Sequence, residues 1–330
     1  MTSTRNILLI ALLFIGYLFW TQWQEDYDHP PAQTAATATP SANTPAVTPA
    51  GADIPAAANS PATSSPPASA SMESAPPSVD RIVVNTDVLR VEIDPRGGNV
   101  VAADLLAYPQ QPKDFAHPVR LLDASDATFF VAQSGLISVQ GSAVVAPDHQ
   151  AMYRAEKNAY SLAAAESVEV PLSWTDPNGL SVRKVFLFKR GSYVIEQREE
   201  IENKSVNAWS GNAYRQLQRV PPIVDSKGLK GYSNTERYSF AGAAVYSPTD
   251  KFQKLKFENF QKEPLKKSFD GGWAAMLQHY FFAAWIPFAG EVDSYTTAVL
   301  ETPHGPRYLV RTLSPTLSVA AGETKTDTAR

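Results

Sequence analysis

The chain has 330 residues, a formal net charge of −4 and no cysteine. Without thiols it has no disulfides, thiolate metal sites or thiol catalysis, and its acidic balance gives no electrostatic footprint for nucleic acid. The length accommodates one anchor, one linker and one domain of about 250 residues, large enough to bury its own core.

Residues 1–28 read as a membrane anchor. A charge-free apolar run extends from Ile7 to Trp23, with Arg5 before it and Glu25, Asp26 and Asp28 after it. As a helix over about residues 6–24, rising about 1.5 Å per residue, it reaches about 26 Å, close to the roughly 30 Å hydrocarbon core of a bilayer. Positive charge stays on the cytoplasmic side, so the amino terminus is expected inside and everything after the run exported. Tyr17, Trp20 and Trp23 suit the outer headgroup interface. A cleaved signal peptide needs small residues just after the run. Trp20-Thr21-Gln22-Trp23 stands there instead, and Ala36-Thr37-Ala38 lies too far along, so the span is expected to be retained.

Residues 29–79 read as a disordered linker. From Pro30 to Ser78 the chain is almost wholly Ala, Pro, Ser and Thr, with Asp53 and Glu73 its only charged residues. Such a segment buries too little apolar surface to offset its ordering entropy. Its prolines favour extended conformations, which predicts a semi-stiff spacer.

Residues 80–330 read as a mainly β domain. Ile82 and Val84, then Leu89, Val91 and Ile93, alternate with polar residues until Pro95-Arg96-Gly97-Gly98 stops the run. Period two followed by a glycine turn predicts a half-buried strand and a partner from Val100. The same pattern predicts strands over Val168 to Trp174, Val182 to Phe188 and Tyr193 to Ile201, joined by turns at Asp176-Pro177-Asn178-Gly179 and Arg190-Gly191. Further strands are expected at Phe129 to Val131, Ser210 to Leu217, Ser239 to Tyr246, Tyr295 to Leu300, Tyr308 to Leu313 and Leu317 to Ala320. Many short strands with frequent turns predict a large antiparallel sandwich. After the turn at Gly322 another strand should follow, so the domain is expected to be truncated before its last strand.

Chemistry-bearing motifs are missing. The sequence contains no nucleophile elbow, zinc-protease helix, phosphate loop or calcium loop. His29, His117, His149, His279 and His304 show no ligand spacing and read as ordinary surface or satisfied histidines. Glu196, Glu200 and Glu202 share the polar face of one strand with Arg198, a solvated face rather than a carboxylate pair. Arg96-Gly97-Gly98-Asn99 reads as a tight turn rather than an anion loop. Lys251 to Phe269 interleaves five lysines with aromatic residues; solvated lysines and buried aromatics on a strand account for it, with a membrane or partner surface as the alternative.

The most distinctive stretch is Gly271-Gly272-Trp273-Ala274-Ala275-Met276-Leu277-Gln278-His279-Tyr280-Phe281-Phe282-Ala283-Ala284-Trp285-Ile286-Pro287. A nearly continuous apolar run behind a glycine pair predicts burial on both faces. Periodicity leaves strand and helix open here, and Trp285-Ile286-Pro287 favours a strand ending. The stretch resembles one in the first periplasmic domain of the YidC/Oxa family of bacterial inner-membrane insertases. Arg5-Asn6-Ile7-Leu8-Leu9, Ala132-Gln133-Ser134-Gly135-Leu136 and Phe240-Ala241-Gly242-Ala243-Ala244-Val245-Tyr246 agree, and the order of anchor, tether and β domain extends the likeness to the whole chain.

The resemblance implies a Gram-negative inner-membrane protein, not an enzyme and without cofactor, that assists insertion and folding of inner-membrane proteins. It implies nascent membrane proteins, the lipid bilayer, the Sec translocon and its SecDF accessory complex as partners. It also implies a galactose-mutarotase-like supersandwich on the periplasmic side. Family members continue into further transmembrane helices forming a hydrophilic groove with an arginine. That groove has no counterpart here, so this chain is expected to be an amino-terminal portion with one span, and no catalytic, cofactor or metal residue is assigned. Trp273, Met276, Tyr280, Phe281 and Trp285 form the expected partner or packing surface. The competing reading is a carbohydrate-binding or mutarotase-like module, which needs a histidine and a carboxylate converging on a sugar; His279 and His149 are its only candidates.

Overall fold

A computed structural model describes residues 53–55, 80–142, 144–221, 240–278, 280–288 and 290–330, with Leu13, Tyr17 and Trp20. The chain forms two units, Met1–Val47 and Thr48–Arg330. In the first, Leu13, Tyr17 and Trp20 are helical and exposed; the rest of the expected span lies outside the described residues. Among the described residues no helix is long and apolar enough to cross a membrane.

The second unit is built from strands. They begin with β1 (Ile82–Asn85), β2 (Leu89–Asp94), β3 (Asn99–Pro109), β4 (Pro118–Leu122), β5 (Phe130–Ser138), β6 (Arg154–Ala155) and β7 (Ala159–Ser161). There follow β8 (Ser167–Thr175), β9 (Leu180–Lys189), β10 (Ile195–Asn203), β11 (Trp209–Arg219), β12 (Gly242–Ser247), β13 (Lys251–Leu255) and β14 (Lys266–Asp270). The last are β15 (Trp273–Gln278), β16 (Phe281–Trp285), β17 (Val292–Thr302), β18 (Gly305–Leu313), β19 (Leu317–Val319) and β20 (Thr324–Ala329).

Eleven strands form one sheet along the path β14-β17-β18-β11-β5-β3-β2-β1-β7, with β19 beside β11 and β4 beside β3. A five-stranded sheet runs β20-β10-β9-β8-β6 and a four-stranded sheet β13-β12-β15-β16. Apart from the parallel β1–β7 pair the ladders are antiparallel. Alternation drives the assembly. Leu89, Val91 and Ile93 on β2, and Val182, Phe186 and Phe188 on β9, all turn inward into one apolar core with Leu217, Val245, Met276 and Val310. The β-sandwich read from the sequence is therefore present.

Three expectations are corrected. The strand after Gly322 lies within the chain: Thr324–Ala329 forms β20 and pairs with β10 from Glu202↔Thr324 to Gln197↔Ala329. Its polar side chains carry no apolar rhythm, because ladder pairing rather than burial holds it. The Trp273 to Trp285 run is not continuous but a hairpin, with Ala275 opposite Ala284 and Gln278 opposite Phe281. Nor is the run buried on both faces, since Phe282 is exposed. The lysine-rich segment splits into β13, a 3₁₀ turn at Phe257–Asn259 and β14, with Phe260 buried and Phe252 exposed.

The Arg96-Gly97-Gly98-Asn99 stretch is the turn expected. Gly97 has φ +73° and packs so closely that an added Cβ would lie 2.0 Å from the His149 carbonyl oxygen.

Candidate functional site: an apolar cleft with an aromatic rim

A cleft of about 750 Å³ opens where the three sheets meet. Val100, Leu105, Leu122 and Leu217 of the large sheet line one side, Phe186 and Ile195 of the five-stranded sheet another, and Phe281 to Ile286 of the β16 segment a third. That size falls within the range of small-ligand and peptide side-chain pockets. Its lining is almost wholly apolar: apart from tyrosine hydroxyls, the polar side chains are Gln197 and Arg330. The Gln197 side-chain amide nitrogen donates to Ser134 Oγ at 2.7 Å and to Glu199 at 3.0 Å.

The mouth is aromatic. Tyr108 of β3 lies edge-on to Phe281 of β16 with centroids 5.4 Å apart, and 5.9 Å from Tyr193 in the β9–β10 turn. One ring thus joins all three sheets. Around it Tyr280 is 78% exposed and Phe282 60%, and Val194 and Ile286 also face solvent. Exposed apolar side chains continuous with a pocket mark a contact surface, whereas scattered ones do not.

The five residues read from sequence as a surface do not act together. Met276 is buried, and Trp285 is buried with its indole N–H donating 3.1 Å to the Gln216 carbonyl. Trp273 stacks on Tyr246 at 5.9 Å on the strand pair away from the mouth. Tyr280, Phe281 and Trp285 alone line the cleft, and Phe282, Ile286, Tyr108 and Tyr193 join them. Phe282 and Ile286 belong to the same β16 segment, whereas Tyr108 and Tyr193 come from β3 and the β9–β10 turn, which only the fold brings to it.

Sequence reasoning also missed a buried polar layer. Lys184 faces inward with Val182 and Phe186, and its ammonium donates to the Gly97 carbonyl at 2.7 Å and to Ser134 O and Oγ at 3.0 Å. Glu199 lies 3.3 Å away. Desolvation holds the Lys184 pKa below its ordinary value, against the opposing charge of Glu199. Arg215 pairs with Asp327 of β20; burial opposes its charge, but Asp327 and Glu199 outweigh that and raise its pKa. Burial pushes the Asp293 carboxyl up to about 7. The signal for this layer was parity, since period two puts Lys184, Gln197 and Glu199 on the inner face. By contrast Glu196, Arg198 and Glu200 lie on the other face, where Arg198 meets Glu200 at 2.9 Å.

On the far side of the large sheet Tyr214 and Gln216 alternate with Arg215 and Leu217 along β11. There His149 is buried, its Nδ1 2.6 Å from the Tyr214 hydroxyl and its Nε2 3.0 Å from Asp53. It is a satisfied histidine and does not line the cleft. His279 lies outside the described residues. Among the described residues no group of three His, Asp or Glu could hold a metal ion.

Fold and cleft together define a β-sandwich scaffold bearing an apolar, aromatic-rimmed cleft rather than a polar catalytic one. Residues 81–330 match the YidC periplasmic domain, and the chain belongs to this family. The membrane protein insertase YidC of Thioalkalivibrio sulfidiphilus is 34% identical over 338 residues, covering all of this chain and 58% of that protein. That of Alkalilimnicola ehrlichii is 38% identical over 299 residues, covering 90% of this chain and 50% of that protein. The chain thus spans little more than half the length of the curated relatives it matches, which are named as insertases rather than enzymes. Among solved structures it is similar to a galactose mutarotase related enzyme from Lactobacillus acidophilus, with TM-score 0.47 and 10% identity, covering 76% of this chain and 95% of that one.

Proposed function

We propose that this chain is the anchored, periplasmic-side part of a YidC-type membrane protein insertase, and that its cleft and aromatic rim dock apolar segments of nascent inner-membrane proteins. The amino terminus lies in the cytoplasm, one span crosses the inner membrane, and the β domain works in the periplasm beside the Sec translocon and SecDF. The domain turns over no small molecule; it holds partners while the membrane-embedded part of the insertase carries out insertion.

The observation that carries this reading is the exposed Tyr280 and Phe282 at the mouth of an apolar cleft, in a chain of this family. An emerging transmembrane segment is an apolar helix whose side chains need a water-shielded surface before they reach lipid. A photo-crosslinking amino acid at Phe282, in cells making an inner-membrane substrate, tests it. Adducts with nascent chain or Sec components are expected from position 282 and not from Val206, which is more exposed but outside the cleft. Equal yields from both positions would overturn the reading.

A further inference from the structure

The face of the large sheet away from the cleft holds a second occupied site. Arg311 of β18 lies opposite Gln216 of β11, and its Nε donates 2.9 Å to the Gln216 side-chain oxygen. This guanidinium is almost fully buried, and among the described residues it forms no ion pair with a carboxylate. Its Nη2 donates instead to the backbone carbonyl of Asp53. The Asp53 carboxylate accepts from His149 Nε2 at 3.0 Å and Gln150 Nε2 at 3.3 Å.

We propose that His149, Gln150 and Arg311 form a docking site for the tether, with Asp53-Ile54-Pro55 as its ligand. Buried polar groups are costly unless partnered, and the tether completes two of them at once. His149 has its other ring nitrogen on Tyr214, and Arg311 has its Nε on Gln216, so Asp53 supplies what the domain does not. Burial opposes the charge of Asp53, and the His149 hydrogen bond and charge, with hydrogen bonds from its own backbone and from Gln150, together outweigh it and hold the carboxyl below its ordinary pKa. Asp53 is the first charged residue after Pro30 in a tract of Ala, Pro, Ser and Thr, so this tract offers the site one acidic group at this position.

Docking changes the tether from a single spacer into two. Between the end of the anchor region and Asp53 lie residues 29–52, whereas the undocked tether would comprise 29–79. At about 3.4 Å per residue the greatest reach falls from about 170 Å to about 80 Å. The latch holds whatever the cleft binds, because it uses the opposite face of the sheet.

The absence of native cysteine allows two spin labels at Ala56→Cys and Val206→Cys in the full chain, with their separation read by double electron–electron resonance. A narrow distance distribution is expected, broadening to at least twice its width in Asp53→Ala and unchanged in Glu73→Ala. Asp53 lies outside the sheets, so this substitution leaves the domain folded. A broad distribution in the parent, a narrow one that survives Asp53→Ala, or equal broadening by both substitutions would overturn the proposal.

Discussion

Lys184 of β9 and Glu199 of β10 stand directly opposite one another, ammonium and carboxylate 3.3 Å apart, both shut off from solvent. Removing one member of such a pair strands the other as a buried charge, costing about 3–5 kcal/mol, whereas replacing both with apolar residues is far milder. Lys184→Met is therefore expected to lower unfolding stability by about that amount. Lys184→Met with Glu199→Leu should recover part of the loss in urea unfolding. A loss in the double variant equal to the sum of those in Lys184→Met and Glu199→Leu alone would show that the pair is not coupled.

Asp293 makes the domain's stability depend on pH. Burial raises its carboxyl to about 7, with Arg215 pulling the other way and Asp327, Glu291 and Asp270 adding to the rise, from an ordinary value of 3.8. Between those values the native state keeps a proton that the unfolded chain releases. This group's contribution to stability therefore falls as pH rises from about 4 to about 7 and is level above that. Asp293→Asn cannot titrate, so its melting temperature relative to the parent should climb between about pH 4 and pH 7 and be level above that. A constant difference across that range would contradict the assignment.

Gly97 is held by both backbone conformation and space. With φ +73° and the His149 carbonyl oxygen 2.0 Å from an added Cβ, Gly97→Ala combines strain with a clash against backbone. The expected loss is about 3 kcal/mol. Gly141 has φ +84° but nothing near its Cβ position, so Gly141→Ala should cost only about 1–2 kcal/mol. Chemical denaturation of the two variants separates strain from contact, and equal losses would remove the contact from the explanation.

Much of the fold was legible because burial on one sheet face leaves a period-two trace. β8, β9 and β10 were readable from Val170, Leu172, Val182, Phe186 and Ile201. β20 was not, because Thr324 to Thr328 is polar throughout and is held by its ladder with β10. The β15–β16 hairpin looked continuous since its turn carries no Gly or Pro and its strands share small apolar residues, Ala274, Ala275, Ala283 and Ala284. For the site, Tyr280 and Phe281 were within reach of sequence reasoning. Tyr108 and Tyr193 were not, because strand order, which no local pattern encodes, places them beside Phe281. Asp53 was visible as a rare charge, but nothing near it in sequence pointed to His149, 96 residues away.

The central claim is that the rim around Tyr280 and Phe282 receives apolar protein segments. Titrating the chain with a fluorescent peptide copied from an inner-membrane helix, solubilised below its aggregation threshold, measures this directly. Saturable binding is expected, weakened at least tenfold by Tyr280→Ser with Phe282→Ser, two exposed substitutions that leave the core untouched. No saturable binding, or the same affinity in the double variant, would contradict the account.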